Sequence, residues 1–197
     1  SGEVVVFVDD DCEPAPDWLP EMLRPFEDER VVGVKGAYVT EQTSVVARFV
    51  QAEYEEKFAR LARKRFVNFV DGFSAAFRSS AFSAAGGFDE SFPQASVEDR
   101  EFSLRLSKGR GCLVFNPWAV VAHRHVASFW GYLAKKFKYG RWGVQILRRM
   151  PAEFVGDDHT PHSQRLQVLL MATLPPVLVA AAAWEGGLLA AWAALFW

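Results

Sequence analysis

Apolar residues along this chain follow two rhythms. Val4–Val8 is an unbroken apolar run of strand length, the pattern of a strand covered on both faces in a parallel-type α/β sheet. Pro14, Pro16 and Asp17 break it, and Asp17 stands where it can cap a helix over residues 18–27. A strand is expected at 31–34. From residue 44 to 65 the period changes: Val46, Phe49, Val50, Tyr54, Phe58 and Leu61 recur at spacings of three and four, one face of a long helix. Beyond it the pattern predicts a strand at 66–70, a small-residue stretch at 71–76, a brief helix after Ser79 and a loop at 86–90. A helix opening on Val97-Glu98-Asp99 is stopped by Gly109 and Gly111. Strands at 112–115 and 120–125 and a helical stretch at 129–150 complete the series. This alternation makes the class α/β.

The far end reads differently. Residues 166–184 carry no charge over 19 positions, about the length that crosses a 30 Å bilayer core, although Pro175-Pro176 interrupts the run. A second apolar run follows Glu185-Gly186-Gly187. One or more C-terminal transmembrane helices are therefore expected. A chain that opens on a buried strand and closes inside an apolar run is expected to be an internal fragment lacking its N-terminal half. The expected division is a catalytic portion at 1–127, an amphipathic interfacial segment and linker at 128–163, and a hydrophobic region at 164–197.

Composition narrows the chemistry. With 197 residues, half of them apolar, the chain can bury one sizeable core, and a net charge of −2 argues against nucleic acid as a partner. Cys12 and Cys112 form no CxxC, so neither a zinc site nor a disulfide framework is suggested, and a reducing, cytosolic setting fits.

Three constellations carry candidate chemistry. Asp9, Asp10 and Asp11 end the first apolar run, and clustered carboxylates at a strand's carboxyl end suit a hard cation shared with substrate phosphates. An acidic turn that caps the next helix is the plainer alternative. Ser96-Val97-Glu98-Asp99 is a capping box by pattern, yet Glu98 or Asp99 could equally serve as a general base at the helix end. In His123-Arg124-His125 the two imidazoles share one side of a strand, so one could ligate a metal; two surface histidines are the alternative.

Taken together, the strand ending in Asp-x-Asp, the following Pro-x-Pro-Asp-Trp-Leu, the Gly86-Gly87-Phe88-Asp89-Glu90 loop, Glu98-Asp99 ahead of Leu-Arg-Leu, and His-x-His resemble the family 2 glycosyltransferases of the inverting GT-A fold. The similarity runs from about Val4 to Met150. It implies a GT-A sheet with flanking helices and transfer of a sugar from a nucleotide-diphospho-sugar donor to a saccharide or lipid-linked acceptor hydroxyl. By the same resemblance Asp9 and Asp11, with His123, hold Mg2+ or Mn2+ on the donor diphosphate, Asp10 lies on the donor side, Asp99 is the base and Glu98 its helper. Gly86 and Gly87 shape the pocket. Processive members carry Gln-x-x-Arg-Trp, and here Lys138-Tyr139-Gly140-Arg141-Trp142 keeps Arg141 and Trp142 at the donor side without the glutamine.

Residues 129–150 interleave Lys135, Lys136, Lys138, Arg141, Arg148 and Arg149 with aromatic residues, the composition of a stretch lying on a cytoplasmic membrane surface. This places the catalytic portion on the cytoplasmic face of an inner or plasma membrane. Two other readings compete. Haloacid-dehalogenase-type phosphatases also end a strand on Asp-x-Asp, with Gly156-Asp157-Asp158 as a distal acidic motif; a non-catalytic membrane-associated module could retain the fold alone.

Overall fold

The computed structural model describes residues 2–92, 97–109, 111–156 and 158, with isolated positions at 166, 170, 173, 174, 176 and 177. Residues 1–158 form one compact unit and 159–197 another. No helix among the described residues is long and apolar enough to cross a membrane. Most of the expected membrane run at 166–184 lies outside the described residues, as does Ser96.

The first unit is built on a mixed sheet of β1 (Val4–Val8), β2 (Cys12–Pro14), β3 (Val31–Val39), β4 (Ser74–Arg78) and β5 (Cys112–His123), in spatial order β1-β4-β3-β5-β2. Among the described strands only β3 and β5 pair in parallel; β1 pairs antiparallel with β4, Val4 opposite Arg78 and Val8 opposite Ser74. Among the described residues the apolar run at the start pairs antiparallel with β4 alone, not with a parallel neighbour, and its residues are half-exposed. The buried centre is β3, where eight of nine residues are covered or nearly so.

Helices α1 (Trp18–Leu23), α2 (Val45–Leu61), α3 (Ser79–Ala84), α4 (Glu98–Lys108), α5 (Phe129–Arg149) and α6 (Pro151–Val155) flank the sheet. Pro25 converts the end of the first predicted helix to a 3-10 turn over Arg24–Glu27. Ser44 caps α2 by accepting the Ala47 N–H at 3.2 Å. On one face of the sheet Trp18 and Met22 pack on Val34, Tyr38, Ala76 and Val121. On the other, Phe102 and Leu106 of α4 pack with Leu61 on Ala75, Phe77 and Leu113.

Several predicted elements changed. Residues 66–70 make only an isolated bridge, Val67 to Leu113, and the small-residue stretch beside them enters β4 instead. Small side chains suit that strand because it is an inner strand, hydrogen-bonded between β1 and β3, and buried from Ser74 to Phe77. The strands expected at 112–115 and 120–125 are one strand. Its register on β3 steps from Lys35–Phe115 to Ala37–Val120, so residues 116–119 bulge out opposite Gly36 and accommodate Pro117.

Candidate functional site

The acidic turn owes its position to topology. β1 lies on one edge of the sheet and β2 on the other, so Asp9, Asp10 and Asp11 cross the sheet's end between them. This is the end where the parallel strands β3 and β5 terminate, the place where α/β sheets hold ligands. The Cys12 N–H donates to the Asp9 carbonyl at 3.1 Å and closes the turn, while the Asp9 N–H reaches the Phe73 carbonyl at 3.4 Å.

β2 then sets Cys12 directly opposite His123. Asp11 Oδ1 lies 3.2 Å from His123 Nδ1, and Cys12 Sγ lies 3.5 Å from that nitrogen and 3.9 Å from the same carboxylate oxygen. His123 is 8% exposed, whereas Asp11 is open to solvent. Carboxylate, imidazole and thiol atoms converging this closely form a donor set that fits a divalent cation. Asp9 borders the group: burial raises its carboxyl pKa and the Asp11 charge adds to that, against pulls from His123 and Lys135. Lys135 of α5 faces the turn; burial pushes its ammonium down, and Asp11 and Asp9 hold it up. Burial, then Asp11 and Asp9, push the Cys12 thiol up to about 12. Asp10 is exposed.

His125, the alternative ligand, is committed to the core. Its Nε2 sits 2.9 Å from Gln51 Oε1 of α2 and its ring stacks on Tyr54 at 5.9 Å. Burial and His123 lower its pKa to about 4, so the ring is neutral at pH 7.

Asp99 stands in the first turn of α4. Its Oδ2 accepts the Gly72 N–H at 2.9 Å and its Oδ1 accepts the Arg100 N–H at 2.6 Å. Gly72 and Phe73 are consecutive, so the backbone pair that receives Asp99 also receives Asp9. Burial raises the Asp99 carboxyl to about 6, with Glu98 adding repulsion and the two N–H donors and Lys57 opposing. Tyr139 of α5 connects the groups electrostatically: burial pushes its hydroxyl up, as do Tyr54, Asp99, Glu98 and Asp9.

Behind Gly72 lies a buried ionic cluster that the sequence pattern did not reveal. Lys57 Nζ donates to Asp71 Oδ1 at 3.1 Å, and fully buried Lys35 pairs with Asp71 Oδ2. The Lys35 ammonium lies 4.9 Å from the Phe73 ring centre and that of Lys57 4.5 Å from Phe69. Burial drives the Lys35 pKa well down and Lys57 adds to that. One signal was present: a lone lysine within the otherwise apolar β3.

The remaining expected site residues have other attachments. Gly86 and Gly87 turn the chain at φ +79° and +67°, and the Gly87 carbonyl accepts Arg105 Nη2 at 2.7 Å. Phe88 next to them packs on Phe7 of β1 at 5.2 Å, and Asp89 is held by Arg149 at 2.7 Å. The Trp142 ring meets Phe92 at 6.2 Å, and the exposed Arg141 lies over it at 5.8 Å. Asp158 pairs with Lys64 and accepts the Asn68 N–H at 3.1 Å, which removes the phosphatase reading's distal acid from the acidic turn. Asp157 lies outside the described residues.

Known proteins resemble this chain in sequence and in fold. A family model described as Glycosyl transferase family 2 matches residues 1–86. The pre-mycofactocin glycosyltransferases of two strains of Mycobacterium tuberculosis, CDC 1551 / Oshkosh and ATCC 25618 / H37Rv, are each 30% identical over 155 residues, covering 76% of this chain and 33% of the relative. The chain thus spans about a third of the length of those relatives. Among solved structures, a mannosyltransferase of Pyrobaculum calidifontis in complex with GDP-Man and Mn2+ superposes with a TM-score of 0.63 at 22% identity, over 99% of this chain and 56% of that one. The shared architecture is the expected α/β sheet of the GT-A type.

Proposed function

The chain belongs to glycosyl transferase family 2, and from that premise we propose that it carries the metal and base side of an inverting glycosyltransferase site. The reaction moves a sugar from a nucleotide-diphospho-sugar to a hydroxyl of a saccharide or lipid-linked acceptor. One observation carries the reading: the Asp99 carboxylate accepts the Gly72 N–H while the backbone N–H of Asp9, which leads into the acidic turn, reaches the adjacent Phe73 carbonyl, at the end of the sheet where Asp11 meets His123.

Asp11 and His123, with Asp9 beside them, would hold Mg2+ or Mn2+, and the related mannosyltransferase was solved with Mn2+. Such an ion offsets charge growing on the leaving diphosphate. Lys135 adds a positive charge on the same side. Asp99 takes the acceptor's proton; a carboxylate poised near 6 is ionised at neutral pH and more basic than an ordinary one. As Asp99 takes its proton, the acceptor oxygen bonds to the anomeric carbon on one face while the bond to the diphosphate breaks on the other, a single displacement with inversion.

The membrane reading rests on α5. Trp130, Leu133, Phe137, Val144 and Leu147 recur along one stripe of this helix and are exposed, Trp130 by 77% and Phe137 by 76%. Gly143, Ile146 and Met150 on the opposite side are buried. A helix with an open aromatic stripe beside Lys136, Arg141 and Arg148 suits the anionic cytoplasmic surface of an inner or plasma membrane.

The test is a panel of labelled nucleotide sugars with Mn2+ or Mg2+ and membrane extract as acceptor, reading nucleoside diphosphate release and the anomeric configuration of the product. Release of a nucleoside diphosphate with an inverted product supports the assignment. Binding without turnover across the panel favours the non-catalytic module, and a retained configuration overturns single displacement.

A further inference from the structure

A buried counter-charge stands directly behind the proposed base. Lys57 of α2, 5% exposed, donates to both oxygens of Asp71, at 3.1 and 3.3 Å, while Lys35 of β3 pairs with Oδ2. Two ammonium groups and one carboxylate make a trio with one net positive charge, which a low-dielectric interior holds at less cost beside a further anion. Asp99 supplies that anion: its Oδ2 accepts the N–H of Gly72, the residue after Asp71, at 2.9 Å. Its charge holds the Lys35 ammonium up against burial, and Lys57 in turn pulls the Asp99 carboxyl down.

The connection is covalent as well as electrostatic. Asp71 and Gly72 share a peptide bond, so the side chain that Lys57 grips and the N–H that holds Asp99 flank one peptide unit. A Cβ added at Gly72 would lie 3.9 Å from Asp99 Oδ2, which shows how closely the carboxylate rests on that backbone. Other groups face the same charge. Glu98 on its own helix repels it, and the hydroxyls of Tyr54 from α2 and Tyr139 from α5, both pushed up by burial, stay neutral near it. Lys57 is the side-chain cation that pulls on Asp99 against burial and Glu98.

We propose that Lys57 is a positioning residue for the transfer reaction: through Asp71 it fixes the Gly72 N–H against Asp99, and its charge keeps that carboxylate ionised to receive the acceptor's proton. The inference rests on Asp99 being the base and adds the residue that sets the base's working range. With Lys57 neutralised, burial and Glu98 keep the carboxyl protonated over more of the neutral range.

The test takes two readouts of the intact protein across the acid and neutral range. One is kcat/KM for nucleoside diphosphate release with Mn2+, the nucleotide sugar that the donor panel returns and the same acceptor extract. The other needs no substrate: the 13C carboxyl resonance of Asp99, assigned by its absence in Asp99→Asn. Lys57→Met is expected to move both midpoints up by about one pH unit, so that turnover lost on the acid side returns on the alkaline side. Lys57→Gln, which keeps a donor for Asp71 without the charge, is expected to move them likewise and stands in should the methionine variant not fold; in both, Asp71 retains Lys35 as its counter-charge. Lys57→Arg is expected to hold both midpoints near those of the unaltered protein. A lysine of merely structural value would lower turnover by a similar factor at every pH. Midpoints that stay put or fall in the neutral variants, or that rise equally in Lys57→Arg, overturn the role of Lys57 and leave Asp99 as the base. A carboxyl resonance that moves while the pH dependence of turnover does not overturns Asp99 as the base, and the inference with it.

Discussion

Replacing Asp99 by asparagine separates the two demands placed on this carboxylate, because a base with a raised pKa destabilises the fold that holds it. Between the ordinary value of 3.8 and about 6, the folded state binds a proton at Asp99 that the unfolded chain releases. Raising the pH through that window therefore removes stability, which is the reverse of a carboxylate held down by a cation. That rise from 3.8 to about 6 corresponds to about 3 kcal/mol at about 1.4 kcal/mol per tenfold change in proton affinity. The substituted amide carries no charge, so the variant escapes this loss at every pH. It does forfeit one of the two hydrogen bonds from the Gly72 and Arg100 N–H groups, a cost of about 1 kcal/mol that does not vary with pH. Urea unfolding at intervals from pH 3.5 to 8 isolates the titration from that offset. The stability of Asp99→Asn relative to the unaltered protein is expected to rise with pH by up to about 3 kcal/mol and level off above about 6. A difference that stays flat, or falls as pH rises, would refute the assignment of a half-buried, charge-averse carboxylate.

Three further perturbations have defined outcomes. Asp71→Asn leaves the ammonium groups of Lys35 and Lys57 buried without their shared counter-charge and is expected to cost about 3–5 kcal/mol in urea unfolding, much of it recovered by adding Lys35→Met. Gly36→Ala would drive a Cβ into Ser74 Oγ and set it 2.5 Å from the Ala119 carbonyl in the middle of the sheet, so a loss of about 1–3 kcal/mol or more is expected. Gly140→Ala in α5 meets open space and should gain about 0.5–1 kcal/mol, so thermal melts of the two glycine variants should move in opposite directions.

The parts of the fold readable from sequence were those governed by local period and capping. Ser44 and the three- and four-residue spacing after it specify α2, and Ser128 starts α5 by accepting the Gly131 N–H at 3.1 Å. What sequence could not supply was pairing. Nothing local to Val4–Val8 says that its neighbour is an antiparallel strand about 70 residues on, and nothing in Pro117 says that a bulge rather than a break will absorb it. The same limit governs the site. Asp9, Asp11, Asp99 and His123 stood out as residue types in suggestive surroundings, whereas Cys12 gained significance only when β2 paired with β5, and Asp71 only when two lysines from β3 and α2 converged on it. Gly72 was invisible for a plainer reason: it contributes a backbone N–H, which every residue but proline owns.

A metal-held donor and a base are assigned here to the same end of the sheet with separable duties. The most direct test measures donor binding and turnover side by side, by calorimetry with the nucleotide sugar and Mn2+ and by product formation, for Asp11→Ala and Asp99→Asn of the intact protein. Asp11→Ala is expected to lose metal-dependent donor affinity together with turnover. Asp99→Asn is expected to bind donor within about threefold of the unaltered protein and yet transfer at least about a hundredfold more slowly. Undiminished transfer by Asp99→Asn, or full metal-dependent donor binding by Asp11→Ala, would contradict that assignment.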